Sequence, residues 1–246
     1  MEFTYNAYSS LLDRLKGYCY EFATYHNWED REHPVILRHD IDCDIKKSVE
    51  LAHLEQKKGV TSTYFVLLNS DFYNVFSKGS ADNLRQIIDM GHTVGLHFDE
   101  VRYPDVQGDL EAIRDKILYE ADILSRAINC KVDIVSMHRL GKGLLEANLS
   151  IPGMINSYSN LFFKEFKYLS DSRRRWREPV DDIIASREYD KLHILTHPFW
   201  YNNEAKSLSE SISAFINHAN YERYNTMADN ITDLPDIMGK EEVLYG

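Results

Sequence analysis

Four short apolar runs in this chain of 246 residues end in groups that can bind a metal ion or move a proton. They are Val35-Ile36-Leu37-Arg38-His39-Asp40-Ile41-Asp42, Gly91-His92-Thr93-Val94-Gly95-Leu96-His97-Phe98-Asp99, Val132-Asp133-Ile134-Val135-Ser136-Met137-His138-Arg139 and Leu192-His193-Ile194-Leu195-Thr196-His197-Pro198. Asp40 and Asp42 are two residues apart, so in a regular strand both face the same side. Two carboxylates that close cannot play one part. A divalent cation on one would keep it ionised, and the other would then take a proton from a water whose pKa the cation lowers toward about 7. The plainer use of Asp at this point is to cap the next helix, and Asp44, directly before Ile45, is the better cap. His92 and His97 bracket one run and point to opposite faces. His97, at the carboxyl end beside Asp99, is the candidate ligand; His92, just after the helix-ending Gly91, reads as structural.

His197 closes the last run, and an imidazole near its ordinary pKa of about 6.5 can donate a proton at neutral pH. The alternative is a histidine that merely ends a strand before Pro198. Arg173, Arg174, Arg175 and Arg177 surround Trp176. Guanidinium groups grip oxyanions bidentately and stack on flat rings, so Arg175 and Trp176 are candidate substrate contacts, with a solvated loop as the alternative. Trp200 and Tyr201 are a candidate aromatic platform or packing residues.

These groups meet only if the strands carrying them run parallel, with their carboxyl ends on one face. The pattern predicts that arrangement: strand 34–40, helix 44–58, strand 61–68, helix 81–90, strand 92–98, helix 109–129 and strand 132–138 alternate as βαβ units do. Tyr8, Leu11, Leu12, Leu15, Tyr18, Cys19 and Phe22 predict an amphipathic helix within 7–27. From 139 to 190 the pattern is irregular apart from a short strand near Lys167-Tyr168-Leu169-Ser170, which reads as a lid or binding loop. A last strand at 191–197 leads into a helix over 207–228 and a loose tail. One domain, 1–246, is expected.

Composition narrows the partners. Lys and Arg number 28 against 39 Asp and Glu, a net charge of -11, which argues against nucleic acid. Cys19, Cys43 and Cys130 lack metal-knuckle or disulfide spacing. Met1–Asn6 has no basic stretch leading into an apolar one, and no run nears the roughly 20 apolar residues of a membrane span. A cytoplasmic protein without stable membrane insertion is expected.

Residues 33–200 resemble the polysaccharide deacetylase superfamily. Asp40 and Asp42 resemble its opening Asp pair, general base then metal ligand. Gly91-His92-Thr93-Val94-Gly95-Leu96-His97 is similar to its Gly-His-Glu-Ile-Gly-x-His, whose last histidine binds metal, and Ser62-Thr63-Tyr64-Phe65-Val66 to its second-strand segment. Arg139 and Gly143 match its Arg-x-Pro-x-Gly, where the arginine orients the base. Asp171 with Trp176 resembles its Asp and Trp motif, and Leu195-Thr196-His197 its closing Leu-x-His, whose histidine is the acid. The family's second metal histidine, four residues after the first, is here Val101. His138, Asp99 and Glu100 are the substitutes, and His138 is preferred. The motif set also resembles a subgroup from bacterial surface-polysaccharide biosynthesis.

The resemblance implies an incomplete, distorted (β/α) barrel and a metal-dependent hydrolase, zinc being the expected ion, that removes an acetyl or similar acyl group from an amino sugar by cleaving a carbon–nitrogen bond. Asp42, His97 and His138 would hold the metal; Asp40, Arg139, Asp171 and His197 would be catalytic; Arg175, Trp176 and Trp200 would meet a sugar, nucleotide-sugar or glycan substrate. The rivals are a cyclic amide or imide hydrolase of the same superfamily, and a glycan-binding protein that has lost its metal.

Overall fold

The computed structural model describes residues 1–139, 143 and 147–243. Contacts divide the chain into two compact units, Met1–Asn203 and Glu204–Gly246. The first is built on an all-parallel sheet. Its strands are β1 (Glu21–Ala23), β2 (Pro34–Ile41), β3 (Thr63–Val66), β4 (Thr93–Phe98), β5 (Ile134–Met137), β6 (Ile155–Asn156), β7 (Lys167–Ser170) and β8 (Leu192–Thr196). The order across the sheet is β6-β5-β4-β3-β2-β8-β7, with β1 paired to the start of β2 on the edge that β3 continues.

The sheet is an incomplete barrel. Three strand spacings of about 4.8 Å would set β5 roughly 14 Å from β2 in a flat sheet, beyond the reach of an arginine. Yet Arg38 on β2 donates to Ser136 on β5 at 2.7 Å and to Ser157, just past β6, at 3.2 Å. The strands must curl round that side chain. β6 and β7 end the path without pairing to each other.

Side-chain alternation sorts the chemistry. Even-numbered Ile36, Arg38 and Asp40 face the interior, which Tyr25, Phe65, Ile134, Phe162 and Phe166 fill. Gly95 belongs there because a Cβ at that point would lie 2.6 Å from the Phe65 ring. Lower in the barrel, His193 sits between the Tyr25 hydroxyl at 2.6 Å and the Phe162 carbonyl at 3.2 Å, and burial pushes its pKa down to about 3. Odd-numbered Val35, Leu37 and Ile41 face the helical layer with Leu192 and Ile194.

That layer holds α1 (Tyr5–Gly17), α2 (Ile45–Lys57), α3 (Lys78–Asp89), α4 (Leu110–Ile128) and α5 (Val180–Ser186). Asp44 caps α2 by accepting from the amides of Lys46 and Lys47, which leaves Asp42 for other work. The first helix stops well short of residue 27: Cys19 takes a left-handed φ of 61°, and the chain turns into β1. The stretch read as irregular holds β6 and α5 besides β7; β6 is too short to leave a period. The second unit comprises α6 (Leu208–Asn230), started by a reciprocal Ser207–Glu210 cap, and α7 (Leu234–Ile237), with the Tyr224 hydroxyl donating to the Met238 carbonyl at 2.8 Å. No helix among the described residues is long and apolar enough to cross a membrane.

A buried carboxylate fastens the helices to the sheet. Glu55 of α2 is fully buried. It accepts from the hydroxyls of Tyr8 (2.6 Å), Ser62 (2.7 Å) and Tyr64 (2.7 Å), and from His39 Nε2 at 2.8 Å. An ionised carboxylate only accepts, so Nε2 carries a proton. His39 Nδ1 meets the Thr196 hydroxyl at 2.7 Å, tying β2 to β8. His92 sits in the same cluster, its Nε2 donating to the Ala52 carbonyl at 3.1 Å. Burial would raise the Glu55 pKa, but His39 and the hydroxyl donors outweigh it and bring it down to about 2. A depressed carboxyl pKa stabilises the fold above its unfolded value, and that contribution disappears as pH falls through the folded one. Roughly 3 kcal/mol should therefore be lost between about pH 4.5 and pH 2. Urea unfolding of wild type and Glu55→Gln at pH 7 and pH 3 checks this: the variant should be weaker at pH 7 and lose less on acidification, and equal acid sensitivity would refute the assignment.

Candidate metal centre

Asp42 follows β2, His97 lies near the end of β4 and His138 directly after β5, so three parallel strands, β4 beside β5 and β2 one strand further along past β3, deliver three donors to one mouth of the barrel. His97 Nε2 lies 3.4 Å from Asp42 Oδ1, His138 Nδ1 lies 3.3 Å from the same oxygen, and the two ring nitrogens are 3.1 Å apart. Ligands about 2.0–2.1 Å from a tetrahedral zinc are spaced by roughly 3.3 Å, so these distances fit a small divalent ion. Asp42 Oδ1 is buried without a hydrogen-bond partner, as an oxygen reserved for a cation would be. Burial would raise the Asp42 pKa, but His138 and His97 hold it far below the usual carboxylate range. Among the described residues this is the only such cluster of His, Cys, Asp and Glu.

Of the three substitutes for the family's second histidine, the structure brings His138 to the pair. Asp99 instead accepts from the Val101 amide at 3.3 Å and pairs with Arg139. Val101 is itself exposed.

The ring orientation of His97 follows from its other side. Its Nδ1 is 2.8 Å from Ser136 Oγ, which already accepts from Arg38 at 2.7 Å. A hydroxyl oxygen has two lone pairs, so it can accept from Nδ1–H as well, which leaves the Nε2 lone pair facing Asp42.

Asp40 is 3% exposed, and the whole guanidinium of Arg38 is buried against it. Arg38 Nη2 lies 2.7 Å from Oδ2 and 3.0 Å from Oδ1, with Nε 3.2 Å from Oδ1. Burial alone would raise the Asp40 pKa; Arg38, with His97 and His197, reverses this and holds it below its ordinary value. The rings of Phe65 and Tyr158 pack on the guanidinium at 5.1 and 5.0 Å. Arg139, expected to orient Asp40, does not do so here. It is 60% exposed and bound to Asp99, while Arg38 reaches Asp40 because residues two apart on one strand share a face. Leu140, Gly141 and Lys142 of that motif lie outside the described residues.

Across the mouth, His197 Nδ1 is 2.6 Å from Asp171 Oδ1, and its Nε2 is 3.8 Å from Asp42 Oδ2. Asp171, itself fully buried, also accepts from the His197 amide and the Tyr201 hydroxyl, both at 3.2 Å. Burial would lower the His197 pKa, but Asp171, helped by Asp42 and Asp40, pushes it up to about 9. Arg175 is exposed on the segment after β7. Trp176 is half-buried and lines a cavity of about 330 Å³. Trp200 is half-buried too, its ring packed edge-on against Phe199 at 4.8 Å. Sequence reasoning gave no role to Arg38 or Ser136, and took Tyr201 for an aromatic platform or packing residue rather than a donor to Asp171. The signal for the first was present: an arginine two residues before an aspartate in an apolar strand must be buried with a partner.

No family model matches the chain, and no curated protein matches its sequence. Similar solved structures include a CE4 family pseudoenzyme from Bacillus anthracis (16% identity, TM-score 0.46, covering 78% of this chain and 62% of that one). A family 4 carbohydrate esterase from Bacillus anthracis aligns at 14% identity and TM-score 0.43, over 82% of this chain and 80% of that one. A Streptococcus pyogenes deacetylase in complex with acetate aligns at 14% and 0.43, over 58% and 66%. The chain thus spans under two thirds of the pseudoenzyme and of the streptococcal deacetylase.

Asp42→Ala, His97→Ala and His138→Ala should each lower zinc affinity by at least about 10-fold, while Asp99→Ala leaves it nearly unchanged. Equilibrium dialysis with metal analysis decides, and a large loss in Asp99→Ala would move the third ligand there. Arg38→Gln should cost about 3–5 kcal/mol in urea unfolding because it strands a buried charge, and adding Asp40→Asn should restore part of that.

Proposed function

We propose that the chain is a metal-dependent hydrolase, zinc first among the ions, that removes an acetyl or similar acyl group from an amino sugar or glycan intermediate by cleaving a carbon–nitrogen bond. One observation carries the reading: three donor atoms at ligand spacing share a barrel mouth with an arginine-bound carboxylate and a carboxylate-backed histidine. Hydrolysis of an acyl group asks for that combination of Lewis acid, base and acid.

Asp42, His97 and His138 would hold the ion, which when bound supplies a more acidic water and polarises the acyl carbonyl. Asp40 is the base. It stays ionised because Arg38 offsets its burial, and contacts to both oxygens fix the direction in which its free lone pairs point. His197 is the acid. With a pKa of about 9 it is an imidazolium at neutral pH. Asp171 occupies Nδ1, which leaves Nε2–H to protonate the departing amine. Arg175, Trp176 and Trp200 are assigned to the sugar. The resemblance to surface-polysaccharide proteins supports a cytoplasmic role on a nucleotide-linked or lipid-linked sugar.

The proposal is tested through the acid. Activity needs His197 protonated, so kcat/KM should fall as pH rises through about 9. Asp171→Asn removes the anion that raises this pKa, so its basic limb should move to lower pH. His197→Ala should lower kcat for an N-acetyl sugar by about 10²- to 10⁴-fold, with a smaller loss on aryl acetates, whose leaving groups need no proton. Asp40→Asn should impair both substrates alike. Wild-type amide hydrolysis by His197→Ala with its basic limb in place would sink the assignment.

A further inference from the structure

The wall of the barrel beside the Arg38–Asp40 pair opens into the cavity of about 330 Å³, bordered by Tyr158, Phe163, Tyr168, Ser170, Trp176 and Arg177. Three of these rings form a continuous stack. Tyr158 lies on Phe163 with centroids 4.7 Å apart and planes 25° apart, and Phe163 lies on Tyr168 at 4.5 Å and 28°. Tyr158 is also a ring that packs on the Arg38 guanidinium, and Ser170 immediately precedes Asp171, so the lining is tied to the residues that hold Asp40 and His197.

Its charge is one-sided. Glu178 at the rim is neutralised by Lys167 at 2.5 Å. Arg177 is exposed and has no ion partner among the described residues. The indole N–H of Trp176 likewise has no hydrogen-bond partner. A cavity bordered by aromatic rings and a few polar groups is how proteins hold small amphipathic ligands, a class to which a sugar unit belongs. An uncompensated guanidinium suits an oxyanion.

We propose that this cavity is a subsite for a sugar unit bearing a carboxylate or a phosphate, with its ring on the Tyr158–Phe163–Tyr168 wall and its oxyanion on Arg177. The inference rests on the proposed hydrolase in taking this unit as part of the substrate, but the binding it describes needs neither metal nor turnover.

The full chain is titrated with glucose, glucuronate and glucose 1-phosphate by calorimetry or ligand-observed NMR. At least one anionic sugar should bind about tenfold more tightly than glucose, and the tighter of the two identifies the oxyanion. Arg177→Gln, a change at an exposed position, should abolish that preference and leave glucose binding alone. Tyr158→Leu should weaken all three sugars, with Tyr168→Phe as the control that keeps the wall. Asp42→Ala should retain the preference. Its disappearance there would put the oxyanion at the metal centre and overturn the proposal, as would equal affinities, no saturable binding, or a preference that survives Arg177→Gln. A protein that passes this test yet hydrolyses no N-acetyl sugar would overturn the hydrolase reading alone.

Discussion

The fold and the site both turn on one buried guanidinium. Arg38 lies inside the barrel, where an unpaired charge would be prohibitive, so every element that meets it is constrained to supply a partner. Asp40 supplies the charge, Ser136 and Ser157 supply acceptors, and Phe65 and Tyr158 close its faces. The curl of the sheet is thereby linked to the ionisation of Asp40. Through Ser136 the same group fixes which nitrogen His97 turns toward Asp42. A replacement that kept the positive charge but lost the fork could not meet Asp40 and both serines together.

A second carboxylate does on the outer face of β2 what Asp40 does within. His39 stands between Arg38 and Asp40 in sequence but faces the helices, where Glu55 and Thr196 hold it. β2 is thus pinned on both sides by charged or strongly polar groups. A one-residue slip would put His39 inside and Arg38 and Asp40 among the helices, so the register of the central strand is specified with little ambiguity. The strand carrying Asp40 and the strand carrying His197 are joined by that same His39–Thr196 contact.

Much of this was legible in the sequence because it is periodic. Apolar strands alternating with amphipathic helices predict the parallel sheet, and polar residues at strand ends predict where they gather. What escaped has physical causes. β6 is too short to show a period, and the first helix gives way after Gly17 to a left-handed turn that a helical pattern through Phe22 conceals. Arg139 drew attention through a motif, yet contact with Asp40 depends on which strand face lies next to it, and Arg38 on β2 is the nearer group. Tyr158 and Phe163 come from a segment without regular pattern, so only three-dimensional packing brings them onto Tyr168 of β7.

Asp42, His97 and His138 each leave a different strand and are separated in sequence by dozens of residues. In a pattern with two histidines four residues apart, a disordered chain can still offer a local two-toothed chelate. Here no two donors are neighbours along the chain, and the unfolded polypeptide would have to close long loops before it could grip an ion twice. Affinity would therefore belong almost wholly to the folded state, and a cation at a thousand times its dissociation constant would add about 4 kcal/mol to stability. The metal would act as a clasp across β2, β4 and β5, so the resistance of this protein to heat or proteolysis would track the free concentration of the ion.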